Sequence, residues 1–253
     1  GLGRAIARNL AECGHPIIAL SRDAVSLGLA GAEFAEIQAD SITITCDLAD
    51  RADIAAAAEQ IKAKAGWIAG IVHNAGIITP IKSIAEVDRA NWARNIQINL
   101  VGVQDLTNRL MPVLGGEEQS RITTISSGAS LRAISGWSAY CVAKAGLDMW
   151  AKCMAEEGAE NNISAISIAP GIVDTDMQKT IRSSNESDFP DYNTFVELHK
   201  DGQLVEPKLE DVKKQVAALE MSSASKELHE QMALRDELID FKEELLRVAQ
   251  LPY

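Results

Sequence analysis

The chain has 253 residues, 47% of them hydrophobic, which suffices for one large core and does not require a second domain. Its 24 Lys and Arg against 36 Asp and Glu leave a formal net charge of -12, which opposes binding to nucleic acid or to an anionic membrane and makes a small molecule the expected partner. No run of about 18 apolar residues and no basic-then-apolar leader is present, so no membrane partner is expected and the expected setting is the cytoplasm.

Short β-branched runs alternate along the chain with alanine-rich amphipathic stretches. Gly1-Leu2-Gly3 leads directly into a helix expected over 4–13, followed by strands over 16–20 and 41–46, a helix over 51–65 and a strand over 70–73. A long helix is expected over 91–114, a strand over 121–126, a helix over 139–161 and a strand over 163–169. This alternation predicts an α/β fold with a doubly wound parallel sheet, covered by helices on both faces. With no strand ahead of Gly1, the sheet is expected to lack its first strand, as in a piece of a longer chain. The stretch after 169 is rich in Ser, Asn, Asp and Gly and suits a mobile loop. Residues 208–250 are rich in Glu, Lys, Leu and Ala and read as amphipathic helix, so 1–207 is expected to form the main α/β body and 208–253 a helical segment of the same domain.

The four cysteines, Cys13, Cys46, Cys141 and Cys153, have no Cys-x-x-Cys or finger spacing, and the four histidines form no His-Glu-x-x-His. No metal site is expected, and the thiols are expected to be reduced and mostly buried. The chemistry concentrates in Tyr140-Cys141-Val142-Ala143-Lys144, with Ser126 and Ser127 upstream. Four residues apart on a helix, the phenol and the ammonium share a face. A free phenol has a pKa of about 10, and a neighbouring cation is expected to lower it toward working pH, making Tyr140 a proton donor while Ser127 polarises a carbonyl.

Taken in order with their companions, these residues resemble the short-chain dehydrogenase/reductase family over roughly 1–207. The resemblance implies a Rossmann-like domain that transfers hydride between a nicotinamide cofactor and a carbonyl or alcohol. Gly1, Leu2 and Gly3 match the end of that family's glycine-rich turn, where absent side chains let the pyrophosphate approach a helix N-terminus. Ser21 and Arg22 follow the next strand, where an acid on the ribose would select NAD. Here Arg22 could pair with a 2′-phosphate, so NADP(H) is favoured over NAD(H). Asp47 and Leu48 resemble the pair whose carboxylate accepts from the adenine amino group, although Asp47, like Asp50, could equally cap a helix. Asn74, Ala75 and Gly76 resemble the turn beside the adenine ribose.

Asn99 matches a helix asparagine that interrupts regular helical bonding and supports a water chain to the lysine. Asn95 is the neighbour most easily confused with it. Pro170, Gly171, Val173 and Thr175 resemble the loop that holds the nicotinamide carboxamide. In the scheme the resemblance implies, Tyr140 donates the proton, Ser127 or in other geometry Ser126 orients the oxygen, and Lys144 holds the ribose and tunes the tyrosine. The stretch 169–178 with Ile181, Arg182, Phe195 and Glu197-Leu198-His199 is similar to the sepiapterin reductase and benzil reductase branch, which implies reduction of a ketone or vicinal dicarbonyl. A broader alcohol or 3-oxoacyl reductase is the second enzyme reading. A nonenzymatic dinucleotide-binding scaffold is the third. The family's habit of pairing implies a homodimer or homotetramer, and Trp92, Ile96, Leu100 and Val103 could serve either core or interface.

Overall fold

The computed structural model describes residues 1–202 and 204; the helical tail expected over 208–250 lies outside the described residues. Strands β1 (Ile18–Ser21) and β2 (Ile42–Thr45) pair in parallel, and β3 (Gly70–His73), β4 (Ser120–Ile125) and β5 (Ile163–Ile168) form a second parallel group in the order β3-β4-β5. Among the described residues the strands thus pair in two groups. Side chains alternate across each strand and bury against both layers. Ile71 and Ile122 join one hydrophobic cluster, while their near neighbours Val72 and Ile125 join another on the opposite face.

The helices follow from caps and apolar spacing. Asp50 accepts from the amides of Ala52 and Asp53 and starts α3 (Arg51–Lys64), which buries Ile54, Ala57, Ala58 and Ile61 against β2, β4 and β5. Leu106 and Leu110 of α5 (Gly102–Leu110) complete that layer. On the other face α1 (Leu2–Glu12) places Leu2 and Ile6 against Ile125 and Val72. The helix α2 (Ala24–Ile37), which the apolar periodicity did not single out, starts where Asp23 accepts from the amide of Val25 and buries Leu27, Ala30 and Phe34. Its exposed Val25 and Leu29 blur the amphipathic contrast that marks a helix in sequence.

Three other expectations are corrected. The single helix expected over 91–114 is α4 (Arg89–Ile96), a π-helical turn (Gln97–Val101), α5 and a 3-10 turn (Met111–Val113). The stretch whose composition suited a loop contains two helices, α7 (Asp176–Arg182) and α8 (Tyr192–Lys200). Their buried Ile181, with Phe189 between them, supplies the apolar anchor that the polar composition obscured. The thiols are free, but Cys46 alone is buried, Cys141 is half-buried, and Cys13 and Cys153 are exposed. The long helix α6 (Ser138–Gly158) runs from the catalytic segment down the sheet. No helix among the described residues is long and apolar enough to cross a membrane.

Candidate active site

Ser21 ends β1, and Asp47, Asn74, Ser127 and Pro170 follow the C-terminal ends of the other four parallel strands, so five separate sequence segments lie at strand C-termini. At the end of β4 the side chain of Ser127 begins a short 3-10 turn by accepting from the amide of Ala129 at 3.2 Å. It also acts on the Tyr140 phenol, in the direction that lowers its pKa. Ser126, in contrast, is buried, and its hydroxyl meets no partner among the described residues. Of the two serines, Ser127 is the one that acts on the Tyr140 phenol.

Tyr140 and Lys144 occupy successive turns of α6 and are both buried. The Lys144 ammonium donates to the carbonyl of Ile125 at 2.6 Å and lies 5.6 Å from the centre of the Tyr140 ring. Burial pushes its pKa down to about 8, against a raising effect of Asp148. The phenol does not show the lowering expected from an adjacent cation. Burial raises its pKa, and the hydrogen bond from Ser127 only partly offsets this. The phenol hydroxyl points to the sulfur of Met177 on α7, 3.8 Å away.

Asn99 lies in the π turn and is wholly buried. Its amide nitrogen donates to the carbonyl of Ile77 and to Oδ1 of Asn95, and its oxygen accepts from the amide of Ile77, each at 2.8 Å. Asn95 donates to the carbonyls of Ile77 and Thr79, so the two asparagines together clamp the segment after Gly76. A Cβ on Gly76 would stand 2.9 Å from Oδ1 of Asn99 and 3.6 Å from the Lys144 ammonium, so glycine is what lets this turn approach both. The same holds at Gly3, where a Cβ would lie 2.5 Å from the amide nitrogen of Asn74.

The remaining predicted contacts are more peripheral. Ser21 accepts from the amide of Asp23, and Arg22 is exposed with no ion pair among the described residues. Asp47 accepts from the amide of Ala49 and from Arg94 at 3.1 Å, leaving the capping of α3 to Asp50. Leu48 packs at the edge of the main cluster, Ala75 is exposed, and Gly1 has open space around it. Gly171 has a φ of +74, Val173 is buried, and Thr175 precedes α7 without a side-chain cap. Among the described residues Ser21, Arg22 and Thr175 make no contact with Ser127, Tyr140, Lys144 or Asn99, and their place at the strand ends alone sets them near that group. Beside Tyr140 an aromatic cluster closes the site: Trp137 meets its ring edge to face at 5.9 Å, stacks on Phe189 at 4.9 Å and tilts against Phe195 at 5.4 Å. Met177, Trp137 and Phe189 were not singled out in sequence, and only their place in the fold reveals them.

A parallel sheet with five strand ends converging on a Ser, Tyr, Lys and Asn group, next to glycines that keep two turns open, is the arrangement of a dinucleotide-dependent oxidoreductase. The family model described as short chain dehydrogenase matches residues 1–186, and the chain belongs to the short-chain dehydrogenase/reductase family. It is 37% identical over 174 residues to a benzil reductase ((S)-benzoin forming) of Saccharomyces cerevisiae, covering 64% of this chain and 65% of the yeast protein. It is 32% identical over 215 residues to a benzil reductase ((S)-benzoin forming) of Bacillus cereus, covering 82% of this chain and 86% of that one. The crystal structure of the KRED1-Pglu enzyme superposes with a TM-score of 0.77 at 31% identity, covering 87% of this chain and 90% of the other. The chain is an NAD(P)-dependent oxidoreductase that acts on C=O or CH-OH groups.

Proposed function

We propose that the protein is an NADPH-dependent carbonyl reductase acting on a ketone or vicinal dicarbonyl flanked by apolar, aromatic groups. The observation that carries this reading is the seating of the Tyr140 hydroxyl between Ser127 and Met177, at the foot of the Trp137, Phe189 and Phe195 cluster. The benzil reductase relatives favour a dicarbonyl over a 3-oxoacyl substrate. When bound, the nicotinamide supplies the hydride. The protein's own residues would do the rest.

Ser127 would donate to the substrate oxygen and hold it within reach of the phenol. Tyr140 would deliver the proton to that oxygen as it becomes an alkoxide. Burial holds the Tyr140 proton in the resting site, so the phenol is a stocked donor before substrate arrives. Lys144 keeps further N-H donors beyond the one given to Ile125, and these would engage the nicotinamide ribose. Asn99, already fixed to Ile77, would hold the Gly76 turn open beside Lys144. Gly1, Leu2, Gly3, Asn74, Asp47, Leu48 and the Pro170 to Thr175 loop would line the dinucleotide, and the open Arg22 would take the 2′-phosphate. Exposed Val101, Val142 and Met149 on the helices around the π turn and α6 offer the face for a homodimer. Leu100 and Val103 do not, since Val103 is buried and Leu100 packs on Gly146.

The test is NADPH oxidation by the full-length enzyme with benzil, an aliphatic 1,2-diketone and sepiapterin, alongside Tyr140→Phe. Turnover of an aryl dicarbonyl that falls by at least about a hundredfold in Tyr140→Phe is expected. Equal turnover in the variant would overturn the role of Tyr140, and no turnover of any dicarbonyl would overturn the substrate class.

A further inference from the structure

Lys144 is a charged group in a poor place for charge. It is 3% exposed, and its single hydrogen bond goes to a neutral carbonyl, that of Ile125. A buried ammonium is costly unless something of opposite sign faces it. The elements packed around it offer nothing that ionises: β4 brings the Ile125 carbonyl, the π turn brings Asn99, and the exit of β3 brings Gly76. Tyr140, one turn before it, is a neutral phenol, and Cys141 acts on Tyr140 rather than on the lysine.

One turn after it on the same face of α6 stands Asp148, the acidic group that acts on Lys144. Its carboxylate is not a free surface group. Oδ1 accepts from the hydroxyl of Ser167, whose oxygen in turn accepts from the hydroxyl of Thr124 at 2.8 Å. Thr124 and Ser167 are register partners on β4 and β5, and Thr124 is wholly buried. Two adjacent strands therefore lend their hydroxyls to a polar chain that ends on one carboxylate of α6.

We propose that Asp148 is a positioning residue for the catalytic pair, anchored through Ser167 and Thr124 so that its negative charge holds Lys144 in the charged form. The inference rests on the reading of Lys144 and Tyr140 as the working pair. Asp148 touches neither substrate nor cofactor. Its effect passes through the lysine, and with the ammonium retained the ribose donors and the field on the phenol persist to higher pH. Removing the carboxylate while keeping its shape leaves Lys144 to lose its proton earlier.

The experiment compares full-length wild type, Asp148→Asn, Asp148→Glu, Ser167→Ala and Tyr140→Phe. The pH profile of kcat/KM for benzil is recorded between pH 6 and 10, and NADPH affinity is followed by fluorescence over the same range. In Asp148→Asn the alkaline limb is expected to move down by about one unit, which gives roughly a tenfold loss at pH 9 with less than about a twofold change at pH 6. NADPH binding should weaken in the same window, and Asp148→Glu should restore most of both. A loss of equal size at every pH, or an unmoved alkaline limb, overturns the proposal, because a purely structural aspartate would not shift the profile. Should Asp148→Asn fail to fold, Ser167→Ala decides: a smaller shift of the same sign supports the chain, and no shift overturns it. The control separates the two levels of argument, since turnover surviving in Tyr140→Phe refutes the catalytic pair itself, whereas a dead Tyr140→Phe with an unmoved Asp148→Asn profile refutes only the role of Asp148.

Discussion

Asn99→Ala should damage stability and activity together, and the size of the first follows from the hydrogen bonds. The side chain makes three bonds of 2.8 Å, to the amide and carbonyl of Ile77 and to Oδ1 of Asn95. The Ile77 carbonyl keeps a second donor, Asn95 at 3.1 Å, so its loss is small. The Ile77 amide and Asn95 Oδ1 are left without their partners. Each buried group so stranded costs about 1–3 kcal/mol, giving roughly 3 kcal/mol in sum. For a domain of this size that is a fall in Tm of roughly 6–12 °C. Calorimetry on the wild type and on Asn99→Ala reads it directly, and Asn99→Asp adds a control, because a carboxylate still accepts from the Ile77 amide but cannot donate to Asn95. Activity should fall in both variants as the Gly76 turn loses its hold beside Lys144. An unchanged Tm in Asn99→Ala would refute the reasoning, since it would mean that the π turn and the segment after Gly76 do not depend on this side chain.

Burial holds the His73 imidazole neutral, with its pKa lowered from its ordinary 6.5 to about 4. Between those values the unfolded chain binds a proton that the folded one refuses, so this residue's contribution to stability is present above pH 6.5 and is lost as pH falls toward 4. The loss is roughly 3 kcal/mol, and urea melts across that range should show a shallower pH slope in His73→Phe; an identical slope would remove His73 from the acid sensitivity. Arg22→Ala should weaken NADPH binding by about tenfold while sparing NADH, because the charge-assisted contact involves only the 2′-phosphate. Titration with both cofactors checks it, and equal losses would sink the assignment.

Much of the site was legible because its residues are tied to strand ends by local pattern. Asn74 follows an apolar strand, Ser127 another, and Tyr140 and Lys144 share a helical face by spacing alone. The break at Asn99 was legible as a resemblance but not as a π turn, because a run such as Asn91 to Leu110 is helical by local preference throughout and only the pull of Ile77 selects the extra residue. Helix α2 escaped notice for the opposite reason: its exposed Val25 and Leu29 give it no clean polar face.

The order of strands and helices, the acidic surface and the catalytic spacing were determined by the sequence itself, since period, charge and four-residue separation are properties of neighbours along the chain. Tertiary structure alone decided that burial raises rather than lowers the phenol pKa. It also decided that Trp137, Phe189 and Met177 wall the site, and that Asp148 is tied to two strands behind Lys144. Desolvation and contact across tens of residues have no period to read. They exist only once the chain has closed on itself.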